Sequence, residues 1–119
     1  MQKVNILGTD YTIETHKISE DEVMKKNQWS GYCDEESKLI VVADMTEKVY
    51  VNIEPAEAQE QYRKKTLRHE IIHAFLNESG LSDSSNTYDG AWSRNEEMVD
   101  WIAIQFPKIV EAFKRVDCL

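Results

Sequence analysis

The feature that most constrains the fold is a long stretch free of helix-breaking residues. No glycine or proline occurs between Pro55 and Gly80, and the intervening residues are mostly strong helix formers. Proline suits the first position of a helix, and glycine suits the position just past its end. The sequence therefore predicts one helix from Ala56 to Ser79. The second half of this helix is apolar almost all round, which is typical of a central buried helix; the residues are Leu67, Ile71, Ile72, Ala74, Phe75 and Leu76.

Inside this helix the sequence reads His69-Glu70-Ile71-Ile72-His73, an H-E-x-x-H pattern. Histidines four positions apart lie one turn above each other on the same helix face, so both imidazoles can reach one metal ion. The carboxylate of Glu70 can then take a proton from a water molecule on the open side of that ion. The alternative is an amphipathic helix whose two histidines only form hydrogen bonds. The metal site is favoured because carboxylate and imidazole groups on an apolar helix cost free energy to bury unless they bind a partner.

A catalytic zinc ion takes three protein ligands and leaves one position open, so another element must supply a third ligand. The segment from Asn95 to Asp100 fits, since a loop separates it from His73. Glu96 and Asp100 share a helix face, so one can bind the metal while the other orients a ligand histidine. Glu97 is the alternative ligand if Glu96 instead forms a capping box with Ser93.

The rest of the sequence predicts an α+β fold in a single domain, residues 1–119: a small antiparallel or mixed sheet packed on the H-E-x-x-H helix, with C-terminal helices carrying the third ligand. Two hairpins are expected, over Val4–Ile18 and Trp29–Asp44. A short helix is expected from a capping box at Ser19 to about Lys26. Val49, Val51 and Ile53 alternate as in an edge strand, and Pro107 should end or kink the helix that opens at Ser93, before a last helical piece from Lys108 to about Val116.

The strongest strand signal is the apolar run Leu39 to Ala43. We expect the stretch from Leu39 to Asp44 to form the rim of the active-site cleft, with one unpaired edge that holds an extended peptide. The alternative is a central strand that is paired on both sides.

Charge and composition limit the classes of partner. The 119 residues include 14 Lys and Arg against 22 Asp and Glu, a formal net charge of −8, so general nucleic-acid binding is not expected. The apolar runs are far too short to span a membrane, and no signal peptide is expected at the N-terminus. Cys33 and Cys118 are read as reduced thiols, which favours a cytoplasmic protein.

The motifs also resemble a known family. His69-Glu70-x-x-His73 followed by Asn95-Glu96-x-x-x-Asp100 is similar to the gluzincin metallopeptidases, whose thermolysin-type members carry an N-E-x-x-x-D segment. The small size and the order of elements resemble those of SprT-like and IrrE-like metallopeptidases. The amino-acid sequence from Leu67 to Ala103 is similar to that of small metallopeptidase-like proteins encoded by phages and prophages. The resemblance implies zinc bound by His69, His73 and Glu96, a general base at Glu70 and an orienting role for Asp100.

The function expected is zinc-dependent hydrolysis of a peptide or protein substrate. No downstream histidine is present to stabilise an oxyanion, so Tyr88 and Arg94 are the candidates for that role. The main alternative is a non-catalytic zinc-containing module of phage type that binds a host protein. A DNA-associated protease of the SprT kind needs a basic surface, which a net charge of −8 does not supply.

Overall fold

The computed structural model describes residues 2–50, 52–82 and 91–119. It is an α+β fold, as predicted, in which a four-stranded mixed sheet packs beside one long helix and a C-terminal helix. The strands are β1 (Gln2–Ile6), β2 (Thr9–His16), β3 (Gly31–Asp34) and β4 (Leu39–Ala43), and the helices are α1 (Glu22–Asn27), α2 (Ala56–Glu78) and α3 (Glu96–Arg115). Within these ranges, no helix has both the length and the apolar character needed to cross a membrane.

Both predicted hairpins are present. β1 and β2 pair through a two-residue turn in which Leu7 and Gly8 both have positive φ, the geometry that matches the twist of antiparallel strands. β3 and β4 form the second hairpin, while β2 pairs with β4 in parallel. The strand order is β1-β2-β4-β3. The sheet is therefore mixed, with β1 and β3 at its edges.

The expectation of an open edge at Leu39–Asp44 is wrong. β4 is paired on both sides, by β2 and by β3, and Ile40 to Ala43 are buried. A continuous apolar run indicates burial on both faces, and a strand of that kind favours the centre of a sheet. Among the described residues no strand pairs with the other side of β3, so β3 has the open edge on this side of the sheet.

Two smaller expectations are also corrected. The short helix is capped by Asp21, not Ser19: the Asp21 carboxylate accepts hydrogen bonds from the backbone N–H groups of Val23 and Met24. Ile18–Glu20 forms a separate 3-10 turn before that cap. Lys48–Tyr50 is another 3-10 turn and not part of an edge strand, and Val51 lies outside the described residues.

The long helix has nearly the predicted bounds. Pro55 is the residue just before α2, and Gly80, with φ of 81°, follows its end in the left-handed region that favours glycine. The residues of α2 that are most buried, Thr66, Glu70 and Ala74, recur every fourth position and form the helix face with least access to solvent. The glutamate of the H-E-x-x-H pattern, Glu70, therefore lies on this buried face.

The C-terminal segment is one helix, α3, and it does not end at Pro107, one of the two outcomes predicted there. Asn95 caps α3 by accepting the N–H of Met98, and Ser93 lies in a preceding 3-10 turn, Trp92–Arg94. Proline removes the hydrogen bond that would normally reach the carbonyl of Ala103, four residues earlier. In this structure Arg68 of α2 donates to that carbonyl instead, with Nε 2.6 Å from the oxygen. The helix continues to Arg115 because the freed carbonyl has a new partner.

Candidate metal centre

The two histidines of α2 meet at one point. The Nε2 atoms of His69 and His73 are 3.0 Å apart, as the i, i+4 spacing allows, and both side chains are largely buried. One potential ligand atom from each of His69, Glu70 and His73 can be chosen so that all three lie within 4.8 Å of one another. These residues could hold a metal ion.

The first turn of α3 brings a further carboxylate to the same point. Glu96 places one oxygen 2.9 Å from Nε2 of His69 and the other 3.0 Å from Nε2 of His73. The cap at Asn95 sets where α3 begins and so where Glu96 projects. In the part of the chain that is described, Glu97 forms no ion pair with either histidine. The capping-box alternative, in which Ser93 caps the helix and Glu97 is the ligand, does not match this arrangement.

The other ring nitrogen of each histidine also has a partner. Nδ1 of His69 is 2.7 Å from a carboxylate oxygen of Asp100, and Nδ1 of His73 is 2.5 Å from the backbone carbonyl of Ser93. A carbonyl only accepts hydrogen bonds, so Nδ1 of His73 carries the hydrogen, and a carboxylate oxygen of Asp100 is the acceptor that faces Nδ1 of His69. With the hydrogen on Nδ1, the Nε2 atom of a neutral imidazole presents a lone pair.

With both rings neutral, this arrangement brings three acceptors together at one point. Burial lowers the pKa of His73 from its ordinary value, which favours the neutral ring. Two lone pairs and the Glu96 carboxylate then face one another at about hydrogen-bond distance. No lysine or arginine among the described residues forms an ion pair with Glu96 or Asp100. A cation at this point satisfies the acceptors together.

Glu70 lies beside these groups but makes different contacts. Glu70 is only 6% exposed. Within residues 2–50, 52–82 and 91–119, no hydrogen bond to its side chain is found. Oε1 packs against Gly31 of β3, 3.3 Å from where a β-carbon would stand. Burial, and then the charges of Glu96 and Asp100, raise the pKa of Glu70 to about 8. A carboxyl with this pKa exchanges a proton near neutral pH.

A cleft of about 870 Å³ opens over this group of side chains. The β3 edge forms one wall, α2 the base, and the start of α3 with the preceding turn the other wall. Gly31 and Cys33 of β3 belong to this wall, and no motif in the sequence singles them out. The Ser93 carbonyl was equally unpredictable, since a backbone acceptor carries no signal in residue type.

The remaining candidates have other environments. Arg94 lines the cleft and donates to the carbonyl of Ser82 at 2.7 Å, while Tyr88 lies outside the described residues. His16 pairs with Asp21 instead of joining the histidines of α2. Burial raises the pKa of the Cys33 thiol to about 12, so it stays protonated and is a poor metal ligand.

Comparisons with known proteins add no family to this description. No protein-family profile matches the chain, and no curated protein or solved structure matches it significantly. The case for a function therefore depends on the sequence motifs and on the geometry of the cleft.

Proposed function

We propose that this chain is a zinc-dependent peptide hydrolase, with zinc held by His69, His73 and Glu96 and with Glu70 as the general base. One observation carries the proposal: two Nε2 lone pairs and a carboxylate converge at one point in an open cleft. Next to that point lies a buried carboxyl that has no hydrogen-bond partner among the described residues. A metal site beside a carboxyl that can transfer a proton is suited to hydrolysis, whereas a purely structural metal site has no use for that carboxyl.

The donor set suits zinc. Imidazole nitrogen and carboxylate oxygen are its usual ligands in catalytic sites, where three protein ligands leave one position open. Two nitrogens bound to one tetrahedral zinc ion are about 3.3 Å apart. The Nε2 atoms of His69 and His73 are separated by 3.0 Å, close to that value. Asp100 and the Ser93 carbonyl fix both rings with Nε2 toward the ligand position, as the outer partners of metal-binding histidines usually do.

When bound, zinc lowers the pKa of a coordinated water to about 7 and polarises the peptide carbonyl. Glu70 would accept a proton from this water as the water oxygen attacks the carbonyl carbon. The same carboxyl then donates this proton to the amide nitrogen as the carbon–nitrogen bond breaks. The position of Glu70 on the buried face of α2 keeps its carboxyl beside the cleft and away from bulk solvent.

The β3 edge supplies the means of holding a substrate extended. The N–H of Ala43 donates to the carbonyl of Ser30, so Ser30 and Ala43 are a hydrogen-bonded pair. Hydrogen-bonded and non-bonded pairs alternate along an antiparallel ladder, which turns the backbone groups of Gly31 and Cys33 to the open edge. A peptide added to this edge gains main-chain hydrogen bonds within reach of Glu70.

The experiment measures metal content and peptide cleavage together. The purified protein should hold one zinc per chain by elemental analysis, and His69→Ala should lose it because one imidazole ligand is gone. Glu70→Gln should retain zinc but lower kcat for peptide cleavage by at least about 100-fold, since an amide cannot accept the proton. Glu57→Gln, an exposed change in the first turn of the same helix, is the control and should leave both unchanged.

Two results contradict the proposal. One is a protein that binds no zinc at neutral pH with zinc in excess. The other is a Glu70→Gln variant that cleaves as fast as the parent protein.

A second candidate is the non-catalytic zinc-containing module that binds a protein. It is favoured by large apolar side chains exposed on α3, where Trp101 is 58% and Phe106 50% exposed. Zinc binding without cleavage of any peptide in a broad library, by both the parent protein and Glu70→Gln, supports this role over hydrolysis.

A further inference from the structure

One end of the cleft is lined by aromatic and cationic side chains. Trp29 stands two residues before the first residue of β3 and is 49% exposed, although it lines the cleft. Tyr62 and Lys65 of α2 line the same cleft, and Nζ of Lys65 lies 4.9 Å from the centre of the Tyr62 ring. We call Trp29, Tyr62 and Lys65 the aromatic end of the cleft.

The backbone and hydroxyl groups around the aromatic end hold it in place. Gln28 adopts the left-handed conformation, with φ of 57°, and the N–H of Trp29 donates to the carbonyl of Met24 at 3.1 Å. The hydroxyl of Tyr62 is 3.1 Å from Oγ of Ser30, which also receives a hydrogen bond from Tyr50. These contacts fix the backbone at Trp29 and the Tyr62 ring at the cleft before any ligand arrives.

The direction of a bound peptide follows from the β3 edge, and this step rests on the proposed function. Antiparallel pairing is the more stable mode, so the peptide runs opposite to β3. Glu70 lies against Gly31, which places the cleaved bond near Gly31. A chain running opposite to β3 passes from Cys33 to Gly31 and then to Trp29. The residue that follows the cleaved bond therefore reaches the aromatic end.

We infer that the aromatic end binds an aromatic side chain on the residue immediately C-terminal to the cleaved peptide bond. An aromatic ring gains offset stacking on the indole of Trp29 and lies near a lysine ammonium. A basic side chain is disfavoured there by the like charge of Lys65. The opposite end of the cleft contains Glu35, Asn77 and Ser82 and offers no aromatic ring among the described residues.

The test uses hexapeptides that differ at one position, occupied by phenylalanine, alanine, aspartate or lysine. Mass spectrometry of the products identifies the cleaved bond. The zinc-loaded parent protein should prefer phenylalanine just after that bond. Trp29→Ala should lower kcat/KM for the phenylalanine peptide by roughly three- to tenfold, while the alanine peptide changes less than about twofold. Phe113→Ala, which removes an aromatic ring that is exposed outside the cleft, should change neither.

A binding measurement separates this inference from the proposed function. Fluorescein-labelled forms of the same peptides are titrated with zinc-loaded Glu70→Gln protein, with and without Trp29→Ala, and anisotropy is recorded. Trp29→Ala should weaken binding of the phenylalanine peptide selectively, even if no variant cleaves it. An unchanged ratio of phenylalanine to alanine binding, or a preference on the N-terminal side of the cleaved bond, overturns the inference. No cleavage by the parent protein, with selective binding intact, refutes only the hydrolase proposal.

Discussion

At the scale of single residues, the site depends on which nitrogen of each histidine carries the hydrogen. Asp100 and the Ser93 carbonyl occupy the two Nδ1 atoms, at 2.7 and 2.5 Å, and this leaves both Nε2 atoms free for a metal. The two partners differ in origin. Asp100 is a side chain four residues after Glu96 and was predictable from that spacing, whereas the Ser93 carbonyl becomes visible only in the folded chain.

Replacing Asp100 by alanine should weaken zinc binding by about 10- to 100-fold, the usual effect of removing such a partner. The variant leaves all three proposed ligands in place, but Nδ1 of His69 loses its acceptor, and the ring is free to rotate. The affinity is measured by competition with a chromophoric chelator at fixed pH.

Glu97→Ala is the matched control for Asp100→Ala. It removes the same charge from the first turn of the same helix without touching either histidine. Equal losses in the two variants indicate that only the general negative charge matters, and this outcome contradicts an orienting role for Asp100.

At the scale of elements, the cleft is defined by the open edge of β3. The N–H of Cys33 faces that edge, so proline at this position removes one donor to the substrate and none from the pairing with β4. Cys33→Pro should fold and bind zinc, yet bind a peptide roughly two- to tenfold more weakly, the range expected for one lost hydrogen bond. Anisotropy titration with a labelled peptide measures the change.

Cys33→Val is the control because it removes the thiol but keeps the N–H. If Cys33→Pro binds peptide as tightly as Cys33→Val, with folding confirmed by circular dichroism, β3 is not the edge that holds the substrate.

The helices and strands were largely predictable from the sequence, whereas the elements that each of them packs or pairs with were not. Helix α2 and both hairpins follow from helix-breaking residues and from alternation, which are local signals. The apolar run in β4 indicated burial, but a strand's own pattern does not identify its partners, so its central place could be given only as the alternative to an open edge. The continuity of α3 through Pro107 depends on Arg68, a contact between positions 68 and 103 that no local pattern contains.

At the scale of the whole molecule, one partly buried pair of side chains joins the sheet to the short helix. Nδ1 of His16, at the end of β2, is 2.6 Å from a carboxylate oxygen of Asp21, the cap of α1. The hydroxyl of Tyr32 in β3 donates to the same carboxylate at 2.9 Å, and Glu14 lies 3.4 Å from the other ring nitrogen of His16. Two strands and α1 thus share one carboxylate, whose charge depends on pH.

The two members of the pair respond to pH in opposite ways. The hydrogen bond to Asp21 raises the pKa of His16 above 6.5, so its stabilising effect is full below about that pH and is lost as pH rises through the raised pKa. Burial opposes ionisation of Asp21, but hydrogen bonds from His16, Met24 and Tyr32 together lower its pKa below 3.8. Its contribution is lost only as pH falls through that lower value. The pair therefore stabilises the fold between these limits.

His16→Asn should lower the free energy of unfolding by about 1 kcal/mol near pH 6, and the difference from the parent protein should shrink toward zero near pH 9. Asparagine keeps a neutral donor to Asp21 but cannot take up a proton, so the variant isolates the charge on His16. Urea unfolding of both proteins with a metal chelator present measures the difference, in which the titration of all other groups cancels. Lys17→Gln removes a neighbouring positive charge and leaves the His16–Asp21 pair intact, so its effect on stability should stay constant with pH. A difference for His16→Asn that is equally flat shows that the protonated pair does not stabilise the fold.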